Sequence, residues 1–107
     1  MGYYSAIPIK RIVYDSATAS VTTANWVAYV TDMPADITSA EFFNSTGQLL
    51  EIGTGAGTTS VTVIPYYITP GGVAGQVGFH VNDGMNLFIR AVDGNATQGL
   101  VVANFLR

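Results

Sequence analysis

Apolar residues along this chain fall into short runs in which hydrophobic and polar positions tend to alternate, and the runs are separated by Gly, Asp, Asn, Ser and Thr. Period-2 patterning sets one face of each run against a core and the other toward solvent, as in half-buried strands. Eight runs can be marked. The first two are "IPIKRIVY" (7–14) and "NWVAYVT" (25–31), the latter with Trp26, Ala28 and Val30 on one face and Val27 and Tyr29 on the other. "SAEFFN" (39–44) sets Ala40 and Phe42 against Glu41 and Phe43, and "QLLEIG" (48–53) sets Leu50 and Ile52 against Leu49 and Glu51. "SVTVIPYYI" (60–68), "QVGFHV" (76–81), "MNLFIRAV" (85–92) and "LVVANFL" (100–106) complete the set. In "MNLFIRAV", Leu87, Ile89 and Ala91 lie opposite Phe88, Arg90 and Val92.

No stretch carries the i, i+3, i+4, i+7 stripe of a long helix. Only "TDMPADITSAE" (31–41) suits a short helical turn, with Pro34 in its first turn. The pattern predicts an all-β fold, a single antiparallel β-sandwich or jelly-roll-like domain of about eight short strands. Residues 1–8 are expected to form an N-terminal arm and residues 9–107 the β-sandwich domain. Three turn sequences, "FFNSTGQLL", "VNDGMNLF" and "AVDGNATQGLVV", read as hairpins and predict an antiparallel meander through much of the second half.

The glycine-rich "GTGAGTTS" (53–60) invites comparison with a phosphate loop. It lacks the lysine of G-x-x-x-x-G-K-[ST], its glycines are spaced G-x-G-x-G, and the β-branched "SVTVIPYY" follows where a helix is needed. A loop between two strands, with glycine supplying positive φ, is the expectation.

Composition changes the picture in one respect. Of 107 residues, 49% are hydrophobic and only 10% charged, with a mean hydropathy of +0.35. Ordinary soluble domains carry roughly 25% charged residues, and a chain this short buries only about 60–65% of its unfolded surface. Apolar surface left over after folding predicts assembly, and a homo-oligomer, taken as a trimer, is expected. The net charge is −3 and the four basic residues, Lys10, Arg11, Arg90 and Arg107, form no cluster. Neither nucleic acid nor an anionic membrane surface is an expected partner. No apolar run is long enough for a membrane-spanning helix, and "MGYYSAIPIKR" has no secretion-signal pattern. With no cysteine, disulfides and thiolate metal sites are excluded.

Candidate chemistry is thin. His80 lies three residues before Asp83, but no G-x-S-x-G elbow supplies a serine nucleophile. Glu41 and Glu51, on neighbouring runs, are placed to face each other as a carboxylate pair. A glycosidase pair also needs a deep cleft, which so small a sandwich rarely has. No loop carries the alternating carboxylates of a calcium site. The sequons "NST" (44–46) and "NAT" (95–97) read as turn chemistry. No enzyme, cofactor or metal is expected. Trp26, alternating with Ala28 and Val30, reads as core rather than as a sugar-stacking platform. The pairs Tyr3–Tyr4 and Tyr66–Tyr67 read as partner-binding anchors, since tyrosine offers a broad apolar face and a polar tip.

The segments "NWVAYVTDMP", "AEFFNSTGQLLEIGTG", "YYITPGG" and "MNLFIRAVDGNATQGLVVANFL", spanning roughly residues 24 to 106, resemble small all-β proteins encoded among the structural genes of tailed bacteriophages. The resemblance implies a virion accessory protein, most of all a capsid decoration (cement) protein. Such a protein binds the major capsid protein or other virion proteins, stabilises the shell, and is made in the host bacterial cytoplasm. The alternative is a receptor- or carbohydrate-binding module of a tail or head fibre. The third class, a small hydrolase, would need His80 beside a serine and a carboxylate.

Overall fold

A computed structural model describes residues 7–71 and 84–107 in full and the backbone of residues 73–81. Tyr3, Tyr4, Asp83 and the side chain of His80 lie outside the described residues. All eight expected strands are present: β1 Pro8–Asp15, β2 Val27–Val30, β3 Ile37–Asn44, β4 Leu50–Gly55, β5 Val61–Ile68, β6 Val73–Val81, β7 Leu87–Ala91 and β8 Leu100–Leu106. They form two four-stranded antiparallel sheets, sheet 1 in the order β1-β8-β3-β6 and sheet 2 in the order β2-β7-β4-β5. No helix occurs among the described residues.

One core draws on both sheets in a sandwich-like arrangement. Sheet 1 contributes Ala40, Phe42, Val101, Ala103 and Phe105, and sheet 2 contributes Tyr29, Val30, Leu50, Ile52, Ile68, Leu87, Ile89 and Ala91. Phe42 and Phe105 meet edge to face at a centroid distance of 6.1 Å, a favoured aromatic arrangement. Tyr29 spends its one polar group inside the core by donating its hydroxyl to the Val101 carbonyl oxygen at 3.1 Å.

The pairing differs from the expected meander. "FFNSTGQLL", "VNDGMNLF" and "AVDGNATQGLVV" all carry the chain from one sheet to the other, because β3, β6 and β8 belong to sheet 1 and β4 and β7 to sheet 2. Among the described residues, β4 and β5 are the only consecutive strands that pair with each other. The first crossing turns on Asn44. This buried side chain donates to the carbonyls of Gln48 at 2.7 Å and Ile68 at 3.2 Å, and its Oδ1 accepts from the backbone N–H of Thr46 at 3.0 Å and from the Thr46 hydroxyl at 2.6 Å. An amide so saturated closes an Asx turn and holds the arch between the sheets. Asn95 instead ties its loop to the segment before β2, its Oδ1 accepting from the Thr23 N–H at 3.0 Å beside the Val21–Ala96 bridge.

The expected helical turn at 31–41 is absent. Asp32 and Asp36 both adopt positive φ, 57° and 66°, which breaks any helical run. Between them Met33 is fully buried, and its backbone is clamped to Met85 and Gly84 by bonds of 3.0 and 2.8 Å.

Candidate interaction surfaces

The loop "GTGAGTTS" is the β4–β5 hairpin, closed by the Gly55–Val61 pair. None of Gly53, Gly55 or Gly57 has positive φ, so the conformational reason given for them does not hold. Gly53 and Gly55 are required by close approach. A Cβ on Gly55 would lie 2.0 Å from the Ser60 carbonyl oxygen, and one on Gly53 would lie 2.3 Å from Val61 Cγ1 and 3.2 Å from the Trp26 ring.

That ring is not in the core. Trp26 precedes β2 and is only partly buried, on the outer side of sheet 2. A bulge between Ala28 and Val30 explains the misreading. It turns both Tyr29 and Val30 inward, so alternation counted back from Val30 places Trp26 on the wrong face. The ladder instead puts Trp26 level with Arg90, whose guanidinium carbon sits 4.3 Å from the ring centroid, within cation–π range. Arg90 also pairs with Glu51, its Nε donating to Oε1 at 2.7 Å. Glu51 in turn lies opposite Tyr67, which is 50% exposed. A row Trp26–Arg90–Glu51–Tyr67 therefore runs from the residue just before β2 across β7, β4 and β5.

Glu41 and Glu51 do not face each other. Glu41 is exposed on β3 of sheet 1 and Glu51 is paired with Arg90 on sheet 2, so the two carboxylates belong to different sheets. The tyrosine pair is split by the pleat. Tyr66 packs against the core and Tyr67 points outward. Among the described residues no group of three His, Cys, Asp or Glu is placed to hold a metal ion.

The outer face of sheet 1 escaped the sequence reading. The register aligns Val13, Val102 and Phe43 in one row across β1, β8 and β3, and Arg11, Asn104 and Glu41 in the next. Val13 is 55% exposed, Phe43 42% and Leu100 39%. Arg11, Phe43, Leu100, Val102 and Asn104 line a depression of about 390 Å³. Arg11 donates to Asn104 Oδ1 at 3.4 Å. The signal was present in the sequence, since Phe43 and Val102 are outward positions of runs whose inward positions are already apolar.

Compared with protein-family models, curated proteins and solved structures, the chain gives no match.

Proposed function

We propose that this protein is a structural component of a virion, a decoration protein that adheres to the outer shell of a tailed bacteriophage as a homo-oligomer, and that its two sheets form a jelly roll. The strand orders β1-β8-β3-β6 and β2-β7-β4-β5, antiparallel throughout, support the jelly-roll reading. The observation that carries the functional reading is apolar side chains left open on both outer faces: Val13, Phe43 and Leu100 on sheet 1, Val63 and Tyr67 on sheet 2. A module with two such faces binds a copy of itself with one and another protein with the other. Tyr67, together with Tyr3 and Tyr4 of the arm, is the proposed contact with the major capsid protein or another virion protein. Adhesion through apolar area depends weakly on salt, because screening acts on exposed charges. The test strips particles of the protein and adds back the full chain, the chain lacking residues 1–6, and a Tyr67→Ala variant, at low and high ionic strength. Occupancy that survives high salt but falls for both altered chains is expected. Binding abolished by modest salt would remove the apolar account.

A carbohydrate-binding fibre module is the second reading, and the exposed Tyr67 beside Glu51 and Arg90 favours it. A glycan array with hits lost in Tyr67→Ala would select it over shell adhesion. The Trp26 ring is already engaged by Arg90, which argues against it as the stacking platform of such a site.

A further inference from the structure

The outer face of sheet 1 carries more than apolar area: its charges are arranged about a line. β8 lies between β1 and β3. Arg11 on β1 and Glu41 on β3 stand level with each other on either side of Asn104. One row along, Val13 and Phe43 flank Val102 in the same way. Neighbouring strands are about 4.8 Å apart, so Arg11 and Glu41 of one chain are separated by roughly 10 Å of backbone with Asn104 between them. Both are exposed. Arg11 reaches Asn104 within the chain, and Glu41 forms no ion pair among the described residues.

We propose that this face binds the same face of a second copy, about a two-fold axis running along β8. Rotation about that line lays β1 of each copy over β3 of the other and keeps each row at its own level. Arg11 of each copy then faces Glu41 of the other, Val13 faces Phe43, and Asn104 and Val102 lie on the axis against their own counterparts. This is an isologous contact in which one patch complements itself. The charges also reject the alternatives. An axis running across the strands through the polar row sets Arg11 on Arg11 and Glu41 on Glu41. An axis across the strands between the rows sets Arg11 over Val13 and Glu41 over Phe43, stranding both charges on apolar side chains. The Val13–Val102–Phe43 row supplies area removed from water and the reciprocal Arg11–Glu41 pairs supply register. The pairing does not depend on the virion reading and makes a dimer the unit of assembly in place of the expected trimer.

The test is association measured by sedimentation across a concentration series, with circular dichroism on every variant. The intact chain should form a dimer. Arg11→Glu and Glu41→Arg should each weaken it by about tenfold or more, and the double reversal should recover most of that loss, since each reversed residue meets its reversed partner across the axis. A second measurement does not depend on breaking the interface. The chain has no cysteine, so Asn104→Cys treated with a short bis-maleimide should give covalent dimer, whereas Thr59→Cys in the β4–β5 loop should not. A monomer at all concentrations, a trimer, reversals without effect, or cross-linking equal at both sites would overturn the proposal. Failure of shell binding with the dimer intact would leave it standing.

Discussion

At the scale of single residues, burial depth separates side chains that look alike in the sequence. Phe42 is fully buried and meets Phe105, whereas Trp26 lies over the outside of sheet 2 against Arg90. Phe42→Ala is therefore expected to cost about 3–5 kcal/mol by loss of burial and a residual cavity. Trp26→Ala should cost only about 1–2 kcal/mol, the sum of a surface cation–π contact and partial burial. Chemical denaturation of both variants checks this, and equal midpoint shifts would contradict it. Tyr29 gives a pH prediction. Burial pushes its phenol well above the ordinary value of 10, so the folded state keeps a proton that the unfolded chain releases above that pH. Its contribution is complete below pH 10 and is lost as pH rises beyond it. Tyr29→Phe should cost about 1 kcal/mol at neutral pH through the lost hydrogen bond to Val101. The variant should also lose stability less steeply than the parent above pH 10, as melting curves from pH 7 to 11.5 would reveal. Asn44 was legible as a turn residue because its Asx turn to Thr46 is made within two residues, whereas the partner of Asn95, the Thr23 N–H, lies 72 residues away and leaves no local mark. The place of Trp26 was not, because a bulge two residues away reverses the face and leaves no mark in the hydrophobic pattern.

At the scale of elements, the eight strands were readable and their partners were not. Alternation is a property of each strand by itself, so β3, β7 and β8 emerge from the sequence to within a few residues of their observed bounds. Pairing is different. "NSTGQ" and "VDGNATQG" contain the residues of a hairpin turn, and those residues serve equally to carry the chain across to the opposing sheet. Long-range partners decide the matter: β8 sits between β1 and β3, and β7 between β2 and β4. That same non-local placement kept the outer face of sheet 1 out of view, since Val13, Phe43 and Val102 become neighbours only once β1, β3 and β8 are aligned. The crossings also give the glycines unequal weight. Gly99, at φ 86°, leads into β8, and a Cβ there would lie 2.3 Å from the Ser45 carbonyl oxygen. Gly57, in the β4–β5 hairpin, has open space around it and no positive φ. Gly99→Ala should destabilise by about 1–3 kcal/mol, backbone strain and a backbone clash acting together. Gly57→Ala should stay within about 0.5 kcal/mol of the parent. Thermal melts of the two variants separate a glycine required by the crossing from one that is merely tolerated in a turn.

At the scale of the whole molecule, the two ends of the described chain meet. Ile7 and Arg107 exchange backbone hydrogen bonds of 3.1 and 2.9 Å, and β1 pairs along β8 from Pro8–Leu106 to Asp15–Leu100. The ends are nonetheless unequal. β1 is an edge strand, whereas β8 is flanked on both sides and supplies Val101, Ala103 and Phe105 to the core. Removing residues 1–6 leaves the Ile7–Arg107 bonds and the whole of β1, so the melting temperature should change little. Removing residues 100–107 strips three core side chains, orphans the backbone groups of β1 and of one side of β3, and should abolish cooperative folding. The same dependence sets the kinetics. Sheet 1 cannot close until its last strand has found both the first and the third, so folding waits on contacts between the ends of the described chain. Refolding followed by Trp26 fluorescence should therefore occur in milliseconds to seconds, the range of β-proteins built from non-local pairings. A chain ending at residue 99 should show no such phase. If that chain kept a sigmoidal melt and refolded at the parental rate, β8 would not be the strand that completes the fold.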